Sequence, residues 1–213
     1  LGAAALFPAA AFEQTEIAFG TMLGSAELAK KTLADLTKFA ADTPFEMPQI
    51  ERAARGLILF GEQGEVLKET LNILGNAASA TSSDFGMVAE IYNQVRGAGK
   101  LLTQDFRQLS TRGIISLQDL ADQLGVTTEE AQTMMSSGKV SFDTLRETLA
   151  SLSVEGGRFE NMMEKQSKTF SGLVSTLKDN VNIQLREVGL QLLPIAKGFV
   201  QLGLSITNAI GKA

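Results

Sequence analysis

Apolar residues recur at helical spacing along nearly the whole chain, but glycine or proline breaks each run after roughly ten to twenty residues. Ala29, Leu33, Leu36 and Ala40 form one stripe, and Ile50, Ala53, Ala54, Leu57 and Ile58 form the next. Leu67, Leu71, Leu74 and Ala78 follow, then Phe85, Val88, Tyr92 and Val95, then Phe142, Leu145, Leu149 and Leu152. The longest run joins Phe159, Met162, Met163, Phe170, Leu173, Leu177 and Val181. Between these stripes fall Gly24, Gly61, Gly64, Gly75, Gly125, Gly138 and the Gly156-Gly157 pair, each expected to stop or turn a helix. Pro44 and Pro48 bracket a loop, and Pro48 suits a first helical turn, where its missing N–H costs nothing. An unbroken helix of this length would reach on the order of 320 Å. Punctuation this dense predicts short helices that bury their stripes against one another instead. Only the stretch from about Arg158 onward reads as one long helix, and Pro194 is expected to kink or end it. Asn-Gly and Asp-Gly pairs are missing and β-branched runs are short, so strands are not expected.

The expected architecture is therefore all-α: a multi-helix bundle of short helices with a small helix-turn-helix-like subdomain and a longer C-terminal helix. At 213 residues, 44% of them hydrophobic, the chain can build a substantial core. Leu1 is not methionine, LGAAALFPAAAF lacks a basic leader, and both ends read as internal to a longer polypeptide.

The residues that are missing narrow function further. The sequence holds no His, Cys or Trp and a single Tyr. Without His the usual general base near neutral pH is gone. Without His and Cys there is no zinc site of the common kinds, and without Cys there is no disulfide framework. Nineteen basic and 24 acidic residues give a net charge of −5, which disfavours a polyanionic partner. The chain is read as non-enzymatic, with no catalytic, cofactor-binding or metal-binding residue nominated and no cofactor expected.

Several motifs invite chemistry and fail on inspection. ISLQDLADQLGVTTEEAQTMM reads as helix, tight turn, helix, with Leu117, Leu120, Ala121 and Leu124 on one face, a turn at Gly125 and a Thr127–Glu130 capping box. Ala131 and Met134 are expected to close its core. From Ile114 to Gly138 there is no Lys or Arg, while Asp119, Asp122, Glu129 and Glu130 would face phosphates, so DNA readout is a poor fit. RGAGKLL around Lys100 lacks the Walker glycine, because Gln94 stands there, and the Ser/Thr after the lysine, because Leu101 stands there. Ser136 to Lys139 and Ser175 to Lys178 match S-x-x-K without the companion motifs of penicillin-recognising enzymes. Glu129 with Glu130, and Glu13 with Glu16, are carboxylate pairs, but on faces that read as solvated.

The C-terminal VGLQLLPIAKGFVQLGLSITNAIG is apolar but interrupted. Nine uncharged residues separate Glu187 from Lys197 and fourteen separate Lys197 from Lys212, short of the roughly 20 a span requires. Packing on a partner helix or on copies of itself is the expected use, with membrane contact through this stretch left open. The pairs Met134-Met135 and Met162-Met163 read as core filler, or else as an adaptable docking surface.

Longer blocks carry a family resemblance. FEQTEIAFGTMLGSAELAKKTLADLTKFAADTPFEMPQIERAARGLILFG resembles the opening of the tape measure domain of tailed-phage and prophage tail proteins. GKLLTQDFRQLSTRGIISLQDLADQLGVTTEEAQTMMSSGKVSFDTLRETL is similar to the same family at Gly99 to Leu101, Leu109 to Ile114 and Gly138 to Ser141. QSKTFSGLVSTLKDN resembles its closing motif through Thr169, Gly172, Ser175, Leu177 and Asp179. The likeness runs from about Ala11 to Leu193 in one order. It implies a virion tail protein, present in host cytoplasm during assembly, that works in tail assembly and tail length determination and in genome delivery. It also implies the tail tube protein, tail assembly chaperones and tail tip proteins as partners, together with self-association. The rival readings are a membrane-active segment aiding DNA ejection and, weaker, a nucleic-acid-binding helical domain. On this resemblance residues 1–10 form an upstream connector, 11–190 the helical tape measure domain with a helix-turn-helix-like subdomain at 103–152, and 191–213 the start of a downstream apolar helical region. Gly and Pro punctuation makes the 11–190 segment a poor ruler and a plausible module beside one, with the ruler beginning near or beyond Leu190.

Overall fold

The computed structural model describes residues 2–210, and over them the chain is all-α. Its helices are α1 (Gly2–Leu23), α2 (Ala26–Asp42), α3 (Met47–Leu59), α4 (Gly64–Thr81), α5 (Phe85–Ala98) and α6 (Thr103–Ser110). There follow α7 (Leu117–Leu124), α8 (Thr128–Ser136), α9 (Phe142–Ser153), α10 (Met162–Ser167) and α11 (Phe170–Ile210). The chain divides into two compact units, one of residues 1–33 with 177–213 and one of residues 34–176, and each is described by itself.

In the 34–176 unit α3, α4 and α5 pack on one another, α9 lies on α4 and α7, and α10 lies on α4. The stripes read from the sequence supply this core: Ile50, Ala53, Ala54, Leu57, Leu67, Leu71, Leu74, Phe85, Val88, Tyr92 and Val95 are all buried. Phe85 stacks on Phe45 at a centroid distance of 4.6 Å and meets Phe39 at 6.3 Å. Pro48 sits in the first turn of α3, as expected, and Asp84 caps α5 by accepting from the Met87 N–H at 2.9 Å.

Glycines end three successive helices by one device. Gly113, Gly125 and Gly138 all have positive φ, at 74°, 67° and 69°. In each case the next N–H reaches back to a carbonyl in the last turn: Ile114 to Leu109 at 3.0 Å, Val126 to Ala121 at 3.0 Å, Lys139 to Met134 at 2.8 Å. That is the Schellman pattern, and at the first the two apolar residues that flank it, Leu109 and Ile114, are both buried.

Several expectations need correction. Gly75 does not break a helix: α4 runs through it, and a Cβ there would lie 2.3 Å from the Met163 sulfur, so the missing side chain makes room for α10. Met135 rather than Met134 is buried under α8. The run from Phe159 to Val181 is not one buried stripe. Phe159 lies in turns, α10 stops at Ser167, and Leu173, Leu177 and Val181 are exposed. Pro194 does not end α11, which continues to Ile210.

In the unit of residues 1–33 and 177–213, α1 and α11 meet closely. Gly189 meets Ala5 and Ala9, and eight residues further along α11 Lys197 pairs with Glu13. The Arg186 guanidinium lies over the Phe12 ring at 4.2 Å. The N-terminal half of α2 returns antiparallel to α1, tied by Lys30 to Glu16 at 3.6 Å. Phe19 of α1 and Ala29 and Leu33 of α2 are fully buried.

Candidate interaction surface

The blocks that carry the family resemblance resolve into turns, caps and close contacts. Gly99 to Leu101 and Val140 to Phe142 lie side by side as a short antiparallel bridge centred on Lys100 and Ser141. The Leu101 N–H donates to Val140 O at 2.9 Å and the Phe142 N–H to Gly99 O at 3.1 Å. Side chains alternate across such a pairing, so Leu101 and Val140 are fully buried while Lys100 and Lys139 are exposed. Thr169 caps α11, its hydroxyl accepting from the Gly172 N–H at 3.2 Å. A Cβ on Gly172 would lie 2.4 Å from the Gln166 carbonyl oxygen, so only glycine allows so tight a passage from α10 to α11. The Ser175 hydroxyl donates to Pro44 O at 3.3 Å.

The residues that looked chemical are likewise occupied. Ser136 donates its hydroxyl to Thr133 O at 3.0 Å. Glu13 and Glu16 sit in the ion pairs with Lys197 and Lys30. Glu130 completes the capping box of α8, accepting from the Thr127 N–H at 2.9 Å, and that backbone bond, with the Thr127 hydroxyl, holds its carboxyl below the usual range. Glu129 is exposed beside it. Among the described residues no three His, Cys, Asp or Glu side chains gather as a metal site would need.

Two ionic clusters organise the 34–176 unit, the first partly exposed and the second largely buried. Arg158 grips Asp119 through both carboxylate oxygens, at 2.8 and 3.2 Å, and donates to Ile114 O at 3.1 Å. Asp119 simultaneously accepts from the Ser116 N–H at 2.6 Å as the third-residue partner in the capping box of α7, so one carboxylate helps start a helix and anchors the 154–161 segment. The second cluster joins Glu62, whose side chain is 6% exposed, to Arg96. Arg96 also donates to Phe60 O at 3.1 Å and lies 5.2 Å above the Phe60 ring. Tyr92 packs its ring edgewise on Phe142 at 5.1 Å nearby.

Burial, reinforced by the Glu62 carboxylate, pushes the Tyr92 hydroxyl up from 10.0 to about 12. A folded state that holds its proton more tightly loses stability as pH rises from the unfolded to the folded value. Stability should therefore fall between about pH 10 and pH 12, by roughly 3 kcal/mol for this group. Tyr92 is the one tyrosine and there is no tryptophan, so near-ultraviolet tyrosinate absorbance reads it alone. The absorbance midpoint should lie well above 10, and Tyr92→Phe should remove that part of the alkaline destabilisation. A midpoint near 10 would show the ring to be solvated.

What these helices leave unsatisfied is an apolar face. Along α11, Val181, Val188, Leu192, Ile195, Phe199 and Leu202 are all exposed, Phe199 by 71% and Ile195 by 59%. Leu185, half-buried, completes the line. Their spacing of four, three, four, three, four and three residues is that of a coiled-coil seam. Sequence reasoning grouped Val181 with a buried stripe and read the remainder only as apolar; the alternating spacing was the signal that separates a seam from a core face. The described contacts of α11 with α1 include Arg186, Gly189 and Lys197, none of them in this line. Among the described residues no helix is long and apolar enough to cross a membrane.

Short helices with defined caps, followed by one long helix, make this an all-α protein, and the blocks that carry the family resemblance lie in its caps and turns. Comparison with protein families makes this specific: residues 4–189 match the family model described as tape measure protein. The chain belongs to the tape measure protein family, and its role is that of a structural component of the phage tail. Neither curated proteins nor solved structures gave a match.

Proposed function

We propose that this chain is the assembly module of a tail tape measure protein, acting in tail assembly and in tail length determination, and taking part in genome delivery. The observation that carries the reading is the change of architecture along the chain. Helices of 6 to 18 residues occupy the chain from Met47 to Ser167, and a single helix of 41 residues follows. Short capped helices make a folded body, whereas an uninterrupted helix converts residue number into length at about 1.5 Å per residue. The ruler accordingly begins near or beyond Leu190, and the body before it supplies contacts to the tail tube, assembly chaperones and tail tip. Assembly places it in the host cytoplasm before it enters the virion.

The test is an insertion series in the tape measure protein of a virion. Ten added helical heptads after Leu204 should lengthen tails by about 105 Å in electron micrographs. The same segment inserted in the turn between α3 and α4 should leave the length of any tails that form unchanged. Tails of constant length in the first series would overturn the reading.

A further inference from the structure

We propose that α10 and α11 are two parts of one helix, kept apart here by the docking of α10 on α4, and that release of α10 lets them fuse into a continuous helix beginning at Met162. The proposal concerns the 34–176 unit and is independent of how tail length is set.

Local sequence favours the fused form. Met162 to Lys168 reads MMEKQSK, mostly residues that enter helices at little cost, and neither glycine nor proline stands between Arg158 and Ser171. Glu164 and Lys168 already pair at 2.6 Å across one helical turn, with the acid on the N-terminal side as a helix prefers. Lys168 keeps right-handed backbone angles, φ −78° and ψ −7°, and α11 starts at Phe170, so the break between the helices rests on Thr169. A helix interrupted at a residue that is neither glycine nor proline is held broken by something outside its own sequence.

That something is α4. The Met163 side chain lies against Gly75, in the notch that the missing Cβ leaves beside the Phe45 ring. The Met163 N–H, one of the donors that the start of a helix leaves unpaired, donates to Asn76 Oδ1 at 3.0 Å. At the other end of α10, Gly172 comes so close that a Cβ there would run into the Gln166 carbonyl and the Ser167 backbone. Gly75 and Gly172 both lie within helices, which glycine disfavours, and both make room for docked α10. Asn161 adds to the cost of docking. It stands at φ 53°, a strained setting for a residue with a Cβ, and its side chain does not cap α10. Docked and fused forms are therefore two discrete arrangements, tertiary contacts favouring one and local backbone preference the other. Fusion adds eight residues, Met162 to Thr169, to the start of α11. That is about 12 Å of helix.

Nuclear magnetic resonance on the 213-residue chain reads the junction residue by residue. In the unaltered chain the Thr169 Cα shift should be non-helical, and the amides of Phe170 and Ser171, in the first turn of α11, should exchange quickly. Met163→Ala removes the plug, and Gly172→Ala makes the bend clash while suiting a continuous helix. In the double variant the Thr169 shift should become helical. The Phe170 and Ser171 amides should then slow by about five-fold or more, the factor that one glycine-to-alanine change within a helix contributes. Gly172→Ala alone, which leaves Met163 in place, should move the same signals in the same direction by less. Faster exchange from Met162 through Thr169 would show that α10 melts on release and would overturn the proposal. So would a Thr169 shift that stays non-helical in both variants, because the break would then belong to the local sequence.

Discussion

Arg96→Leu should destabilise the 34–176 unit by about 3–5 kcal/mol, measured by urea unfolding. The reason lies less in what Arg96 contributes than in what its removal strands. Glu62 is 6% exposed, and its carboxylate is bonded by the Arg96 guanidinium, which is itself only 22% exposed. Without that partner a carboxylate must stay charged in a poorly hydrated place, take up a proton, or drag its loop into water. Arg96 also closes the end of α3 through Phe60 O and packs on the Phe60 and Phe142 rings, at 5.2 and 5.5 Å. Leucine replaces part of that packing but none of the charge. The double variant Glu62→Leu with Arg96→Leu should regain much of the loss, because no buried charge is then left over. A single-variant loss below about 1 kcal/mol would show that the pair is solvated and behaves as a surface bridge.

Two alanine substitutions on α11 should act in opposite directions. In Gly189→Ala the new Cβ would lie 2.0 Å from the Ala5 carbonyl oxygen and 2.8 Å from the Ala9 Cβ. Neither is the end of a flexible side chain, so α1 and α11 must part. The expected cost is about 1–3 kcal/mol, with valine at the same position costing more. Gly198 lies in the same helix with nothing within 4 Å of its would-be Cβ. There alanine should stabilise by roughly 0.5–1 kcal/mol, through helix propensity alone. Hydrogen exchange read on α1 peptides separates the cases: protection should fall in the first variant and hold or rise in the second. Unchanged α1 protection in Gly189→Ala would mean that the two helices do not meet at this point.

Much of the fold is legible from residues near one another in sequence. The stripes Leu67–Leu71–Leu74–Ala78 and Phe85–Val88–Tyr92–Val95 are buried as their spacing demands. Thr127 and Glu130 make the capping box, and Gly125 and Gly138 end their helices. Each of these depends on interactions spanning a few residues, so the local sequence contains the whole cause. Family membership was legible for a related reason: several blocks had to recur in one order, and residues 4–189 match as a whole.

What tertiary structure decided is everything that depends on a distant partner. Gly75 has the local look of a helix stop, yet α4 continues through it because Met163 arrives from far along the chain to fill the gap. Gly99 to Leu101 and Val140 to Phe142 look like separate turns until the fold sets them side by side. Asp119 reads as one more solvated acid, and becomes an anchor only because Arg158 is delivered to it. The same holds for the apolar face of α11. Periodicity states which residues share a side of a helix, but whether that side is covered depends on what packs against it, and the line from Val181 to Leu202 is left mostly exposed. Helix class, caps and stops are thus properties of neighbours in sequence, whereas burial, ion pairing and the exposed apolar line of α11 are properties of neighbours in space.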